Sequence, residues 1–458
     1  MNLPTENLKL DSSKIKIDSE SLKYYGKDWT TYYDINASAI VFPTSTEDVV
    51  QIVQWARRNK ISLVPSGGRT GLSGAACATL GEVVVSFEKM NHILEFSEID
   101  GTVVIEPGVV TESLQEFAKK NGYYYPVDFA ARGSSQMGGN IATNAGGIKV
   151  VRYGMTREWV VGLEVVTGTG EVLQLNQGLS KNNTGYDLRH LFIGSEGTLG
   201  FITKATIKLA AKLPPVKVLV MALDQMSSVM KVFSYFKQQC QIQAYEMFSE
   251  KALGYVLKST GLPRPFETVA QFYVVCELEC PDNTTEEKIM ATFEHGMEQG
   301  WIVDGVISQS ETQEKTFWRY REDISESLSP FSPYKNDIAV AISKVPQFMH
   351  DLDQILTTAY PTWTVVWFGH IGDGNLHINI LRPDGMSKET FVTECRKVDE
   401  LVFQTIEKNH GSISAEHGVG LSKKSFLHYS RSAAEIEMMK GIKKVFDPDY
   451  IINPGKIF

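Results

Sequence analysis

From residue 40 to about residue 213, apolar and polar positions alternate in short runs interrupted by glycine, the rhythm of strands and tight turns rather than of long helices. One stripe stands apart. Across 46–58, Val49, Ile52, Val53 and Ala56 share a helical face, with Glu47 and Asp48 in the first turn and Arg57 and Arg58 in the last, where the helix dipole favours those charges. The apolar run 61–65 predicts a buried strand entering Ser66-Gly67-Gly68-Arg69-Thr70-Gly71. A second helix, 111–121, is closed by Gly122, and residues 159–167 and 171–175 flank Gly168-Thr169-Gly170 as a hairpin. Residues 201–209 alternate as a further strand.

The pattern changes at Leu213-Pro214-Pro215, where two prolines bar a helix and mark a linker. Strand 216–223, helix 227–239, a strand near Tyr245, strand 271–279, helix 285–299 and strand 301–307 then follow a β-α-β-β-α-β order, which predicts a ferredoxin-like antiparallel sheet. Helix 311–327, strand 337–343, helix 346–359, a hairpin over 364–381 and helices 388–409 and 433–446 complete the chain. The expected class is α+β in three parts: 1–212, a β-rich domain; 213–382, an antiparallel-sheet domain; and 383–458, a small helical C-terminal region.

Composition narrows the partners. At roughly 100–200 residues per domain, 458 residues fit two or three domains. With 45 Lys+Arg against 54 Asp+Glu the net charge is −9, which disfavours nucleic acid. No apolar stretch reaches the roughly 18 residues of a membrane helix, and the first residues lack the apolar core of a secretory signal. A cytoplasmic protein, at most peripheral at a membrane, is expected. Cys77, Cys240, Cys276, Cys280 and Cys395 are scattered and read as reduced thiols with packing roles.

Neither common phosphate signature is present: no G-x-G-x-x-G follows a strand, and neither Gly26-Lys27 nor Gly455-Lys456 is followed by Ser or Thr. Glycine is instead concentrated at 67–74, 138–147 and 194–200. Any one cluster fits a tight corner of a β-rich domain equally well. Three together fit an extended ligand that needs backbone contact along its length, because glycine admits close approach and consecutive N–H groups form anion-holding nests.

The run His370-Ile371-Gly372-Asp373-Gly374-Asn375-Leu376-His377-Ile378-Asn379 reads as two apolar strands joined by a turn. His370 closes the first strand, and His377 shares a face of the second with Asn379. Glu416 and His417 adjoin in an irregular, glycine-flanked segment. Two histidines and a carboxylate form a divalent-metal set with an open position; hydrogen-bonded structural histidines account for the same spacing.

These motifs carry a resemblance. Pro65-Ser66-Gly67-Gly68-Arg69-Thr70-Gly71-Leu72 resembles the pyrophosphate loop of flavoproteins of the vanillyl-alcohol-oxidase, or p-cresol methylhydroxylase (PCMH), type. Tyr125-Pro126-Val127-Asp128, the 138–147 run, Asn183-Thr184-Gly185-Tyr186-Asp187-Leu188 and Phe192-Ile193-Gly194-Ser195-Glu196-Gly197-Thr198-Leu199-Gly200 are similar to its D-2-hydroxyacid dehydrogenase branch, and the likeness runs to the chain end. The resemblance implies a PCMH-type FAD-binding domain of two α/β subdomains over 1–212, a substrate-binding cap over 213–382 and a C-terminal helical region, 383–458, closing on the flavin site. It implies FAD contacts at Ser66, Gly67, Gly68, Arg69, Thr70, Gly71, Leu72, Asp128, Gly138, Asn140, Thr143, Asn144, Gly146, Gly147, Glu196, Ile202 and Asn375. Members that attach FAD covalently often use a histidine or cysteine near the first loop; Arg69 here implies non-covalent FAD.

In the D-2-hydroxyglutarate dehydrogenases of that branch, the positions matching His370, His377 and Glu416 hold zinc and the one matching His417 acts as base. Arg321, Ser325, Lys335 and Asn379 match substrate-carboxylate contacts, with Ser325 where the family has Thr and the 321–335 spacing one residue shorter. The implied reaction is FAD-dependent, metal-assisted oxidation of a D-2-hydroxy acid, with two cations suiting the dicarboxylate D-2-hydroxyglutarate. D-lactate or another D-2-hydroxy acid, a metal-free flavin alcohol oxidase and a flavin-holding electron-relay subunit stay open, as do a homodimer and an acceptor such as electron-transfer flavoprotein, quinone or a cytochrome.

Overall fold

The computed structural model describes residues 8–30 and 32–458. The chain divides into two units: a first of Met1–Gly147, Tyr153–Leu213 and Glu416–Phe458, and a second of Ile148–Arg152 and Pro214–Ala415. The double proline thus lies at the boundary. The expected C-terminal region 383–458 is not a body of its own. Its first helix, Lys388–Lys408, buries Phe391, Cys395, Val402 and Phe403 in the second unit, whereas everything from Glu416 onward returns to the first.

The first unit holds two principal sheets. In one, the strands run in the order Ile15–Lys16, Ala39–Val41, Val83–Ser86, Leu63–Ser66, the last three parallel. Helix Thr46–Asn59 covers it; the Ser45 side chain accepts from the Asp48 amide, and Val49, Ile52, Val53, Trp55 and Ala56 go inward. The other sheet is antiparallel throughout, in the order Ile93–Ser97, Thr102–Ile105, Gly200–Lys208, Val160–Thr167, Val172–Leu175. Helices Thr111–Lys120 and Met137–Thr143 pack Leu114, Ala118, Met137 and Ile141 against its core.

The second unit is built on a seven-stranded antiparallel sheet ordered Asp304–Ile307, Val216–Leu223, Phe272–Glu279, Ile242–Ser249, Val365–Gly369, Asn375–Ile380, Tyr334–Ala339. Its first four strands have the ferredoxin-like arrangement, extended by the hairpin and the last strand. Three details depart from the sequence pattern, one of them helix Glu250–Thr260, absent from the expected elements. The strand expected at 337–343 lies at Tyr334–Ala339, in register with Asn375–Ile380. The helix expected at 311–327 is interrupted at Asp323, giving Glu311–Glu322 and Ile324–Leu328.

Two buried carboxylates secure the C-terminal return within the first unit. Asp447 is fully buried and meets the Lys443 ammonium, which also donates to the Thr198 and Ile452 carbonyls at 2.6 Å each. Glu196, in the left-handed region at φ 51°, accepts from the amides of Val419 and Gly420, both at 2.7 Å. Burial raises the Glu196 pKa to about 7, only partly opposed by those amides and by Lys423.

Lys443→Met is expected to cost about 3–5 kcal/mol in urea unfolding, because it strands the Asp447 charge, and adding Asp447→Asn should recover part of that loss. Glu196 gives a pH signature. A carboxyl whose folded pKa lies above the unfolded 4.5 stabilises the fold fully below that value and loses the contribution as pH rises through about 7. Wild-type melting temperature should therefore fall relative to Glu196→Gln from about pH 5 to about pH 8; parallel profiles would refute the assignment.

Candidate active site

A cleft enclosing about 960 Å³, part of it open to solvent, lies in the first unit. All three glycine runs reach its wall: Ser66, Gly67, Gly68, Arg69, Thr70 and Gly71 from the first, Gly138, Asn140 and Thr143 from the second, and Glu196 from the third. Ile202 and His417 line it as well. Leu72, Asp128, Asn144, Gly146 and Gly147 belong to the same unit but not to that wall. Asp128 accepts from Arg132 Nη1 at 3.1 Å, Asn144 from the Arg157 amide at 2.9 Å, and a Cβ on Gly147 would lie 2.0 Å from the Asp128 carbonyl oxygen.

The wall fits a long, polar, phosphate-bearing group. A Cβ on Gly68 would meet the Ser134 carbonyl at 2.1 Å, so only glycine lets the loop approach this closely. Ser66 Oγ and Gln136 Oε1 are buried on the cleft wall with no hydrogen-bond partner, the condition a bound polar ligand relieves. Arg69 adopts φ 59°, and its guanidinium stacks over Tyr24 and Tyr25 at 4.5 and 4.8 Å. Asp28, which the sequence pattern gave no reason to select, organises the loop: it accepts from the Gly74 amide at 2.8 Å and from the Thr30 hydroxyl at 2.6 Å.

In the second unit, sheet register collects most of the expected substrate and metal residues. Lys335 lies opposite Asn379 and Asp337 opposite His377; on the other side of the same strand, Phe368 pairs with His377 and Val366 with Asn379. His370 follows the strand Val365–Gly369, and its ring meets that of His377 edge to face at 5.3 Å between centroids. Arg321 reaches this face from helix Glu311–Glu322, its guanidinium carbon 4.9 Å from the Phe368 ring centre. His370 Nδ1 lies 2.8 Å from Glu246 Oε1, and the other Glu246 oxygen is 3.0 Å from Arg321 Nε.

Two expected residues behave differently. Ser325 lies beyond the interruption at Asp323 and is exposed, whereas Arg321 is buried, so the helical spacing does not give them a common environment. Asn375, expected to touch the cofactor, belongs to the second unit, where its amide donates to Asp337 Oδ1 and the Ile338 carbonyl, both at 2.9 Å.

A model of the FAD binding domain matches residues 37–176, and one of the C-terminal domain of FAD linked oxidases matches 213–457. D-2-hydroxyglutarate dehydrogenase of Stutzerimonas stutzeri is 56% identical over 98% of the chain and 97% of its own length. The enzyme of that name from Xanthomonas citri pv. viticola is 51% identical over 97% of the chain and 94% of its own length. The solved structure of p-cresol methylhydroxylase shares the fold, with a TM-score of 0.76 at 15% identity over 99% of this chain and 96% of that one. The chain belongs to the FAD-linked oxidases, on their D-2-hydroxyacid dehydrogenase branch.

Proposed function

We propose that the protein oxidises D-2-hydroxyglutarate to 2-oxoglutarate, using non-covalent FAD in the first unit's cleft and a divalent cation, zinc in the first instance, held by His370, His377 and Glu416. The observation that carries this reading is the sheet register that gathers His377, Asn379 and Lys335 on the face approached by His370 and Arg321. Glu416 follows Ala415, whose amide donates to the carbonyl of Asp337, the residue opposite His377. Two imidazoles and one carboxylate suit zinc and leave room for a substrate oxygen.

Charge balance supports a cation there. The buried carboxylates of Glu246 and Asp337 offset Arg321 and Lys335, leaving the side chains of this face near neutrality. A dianionic substrate and the Glu416 carboxylate then bring three further negative charges, of which a divalent ion offsets two.

Bound FAD supplies a hydride acceptor at N5, and a bound divalent cation favours loss of the hydroxyl proton. His417, on the cleft wall, accepts that proton, a task suited to an imidazole near neutral pH. Arg321, Lys335 and Asn379 hold the two carboxylates, with Arg321 offering a planar fork and Lys335 a point charge.

Anaerobic stopped-flow reduction tests the reaction. D-2-hydroxyglutarate should bleach the flavin, its L enantiomer should not, and chelator treatment should abolish bleaching until zinc is restored; turnover that survives exhaustive metal removal would sink the metal assignment. Lys335→Met tests the dicarboxylate, because Lys335 is exposed on the edge strand, opposite Asn379 in register. KM for D-2-hydroxyglutarate should rise about 10–100-fold, as expected for a lost charge-assisted hydrogen bond, with little change for D-lactate. An equal rise for both would refute the dicarboxylate assignment.

A further inference from the structure

Glu246 was not marked by any motif. It is an isolated acid in the central strand Ile242–Ser249, between Tyr245 and Met247, and only 1% exposed. The strand pairs Met247 with Gly369 and Phe248 with Phe368, a register that brings Glu246 level with His370. One carboxylate oxygen lies 2.8 Å from His370 Nδ1, and the other lies 3.0 Å from Arg321 Nε in an ion pair without an aligned hydrogen bond. A carboxylate can only accept, so the proton of a neutral His370 resides on Nδ1 and its lone pair on Nε2, the nitrogen turned away from Glu246. The Arg321 contact is made through Nε, which leaves the paired Nη groups for other acceptors.

We propose that Glu246 is a positioning residue that couples cation binding to substrate binding: it sets the tautomer and ring orientation of His370 for a metal ion and aims the Arg321 fork at a substrate carboxylate. The inference rests on the metal reading given above. The two roles follow from one buried group with two oxygens, each committed to a different side chain. Asp337 gives a contrast on the neighbouring strand: its Oδ1 is 3.7 Å from His377 Nδ1, too far to hold that ring by a hydrogen bond.

The test is isothermal titration of the flavin-loaded full chain with zinc chloride after chelator dialysis, in wild type, Glu246→Gln, Glu246→Asp, His370→Ala and the double variant Glu246→Gln/His370→Ala, with melting temperatures recorded alongside. Glu246→Gln should weaken zinc about 10–100-fold, the usual effect of losing a carboxylate behind a ligating histidine. In the His370→Ala background the same substitution should change zinc affinity by less than about threefold, since Glu246 acts through that ring. Should Glu246→Gln fail to fold, Glu246→Asp carries the test, because it keeps the charge but withdraws it by one methylene, and a tenfold or greater loss of zinc affinity is expected. Glu246→Asp should also raise KM for D-2-hydroxyglutarate more than it lowers kcat. Zinc affinity within twofold of wild type in the glutamate variants, with only the melting temperature lowered, would overturn the inference and leave the metal reading standing. A wild-type chain that binds no zinc would remove the metal reading itself, and the inference with it.

Discussion

Burying the Glu196 carboxylate obliges the protein to bring hydrogen-bond donors to it, and the donors it uses come from 223 and 224 residues further along the chain. That requirement accounts for the path of the C-terminal segment. Val419 and Gly420 are held by their amides, so His417, two residues before, is carried to the wall of the same cleft that Glu196 lines. Gly418 is part of the device: a Cβ there would fall 2.9 Å from the Glu196 carboxyl carbon, and its φ of 79° favours glycine independently. Lys443 and Asp447 repeat the principle further on, closing the Thr198 loop and the Ile452 segment on one buried ion pair.

The second unit applies the same constraint to a different end. Val366, Phe368 and Phe248 lie in its apolar cluster with Phe317, Tyr320 and Ile324 from the covering helices. The polar groups His377, Asn379 and Asp337 are interleaved with that cluster by strand pairing alone. Groups set into an apolar face interact more strongly than they would in water, and each needs an explicit partner. Glu246 and Asp337 supply those partners for Arg321, His370 and Asn375. At the centre of the sheet, Glu277 does so for Lys149 and for the Trp318 indole N–H.

How much of this the sequence disclosed follows from how local each signal is. Elements with their own period and caps, such as Val216–Leu223 and Ala433–Phe446, coincide with the pattern of apolar positions. Helix Met137–Thr143 did not, because its first turn contains Gly138 and Gly139 and so reads as loop. The glycine runs and the His370–Asn379 segment were legible as chemistry because their residues are contiguous. Glu246, Asp28 and Gln136 were not: each is a single polar residue whose meaning lies in partners far away in sequence, 124 residues for Glu246 and His370. Ser325 shows the opposite error, in which regular helical spacing was extended across a break that Asp323 introduces.

The whole-chain charge of −9 and the anionic substrate proposed for it are reconciled by distance. Exposed charges more than about 8–10 Å away are largely screened at physiological ionic strength, so a dianion responds to what lines its path and its pocket. There the cations are unequal. Arg321 is buried and already shares its charge with Glu246, so it offers geometry more than net attraction. Lys335 is exposed on the outermost strand of the sheet, with no acid opposite it in register, only Asn379. In the proposed reading, attraction near the pocket falls to Lys335, while discrimination between substrates falls to the fork that Glu246 orients.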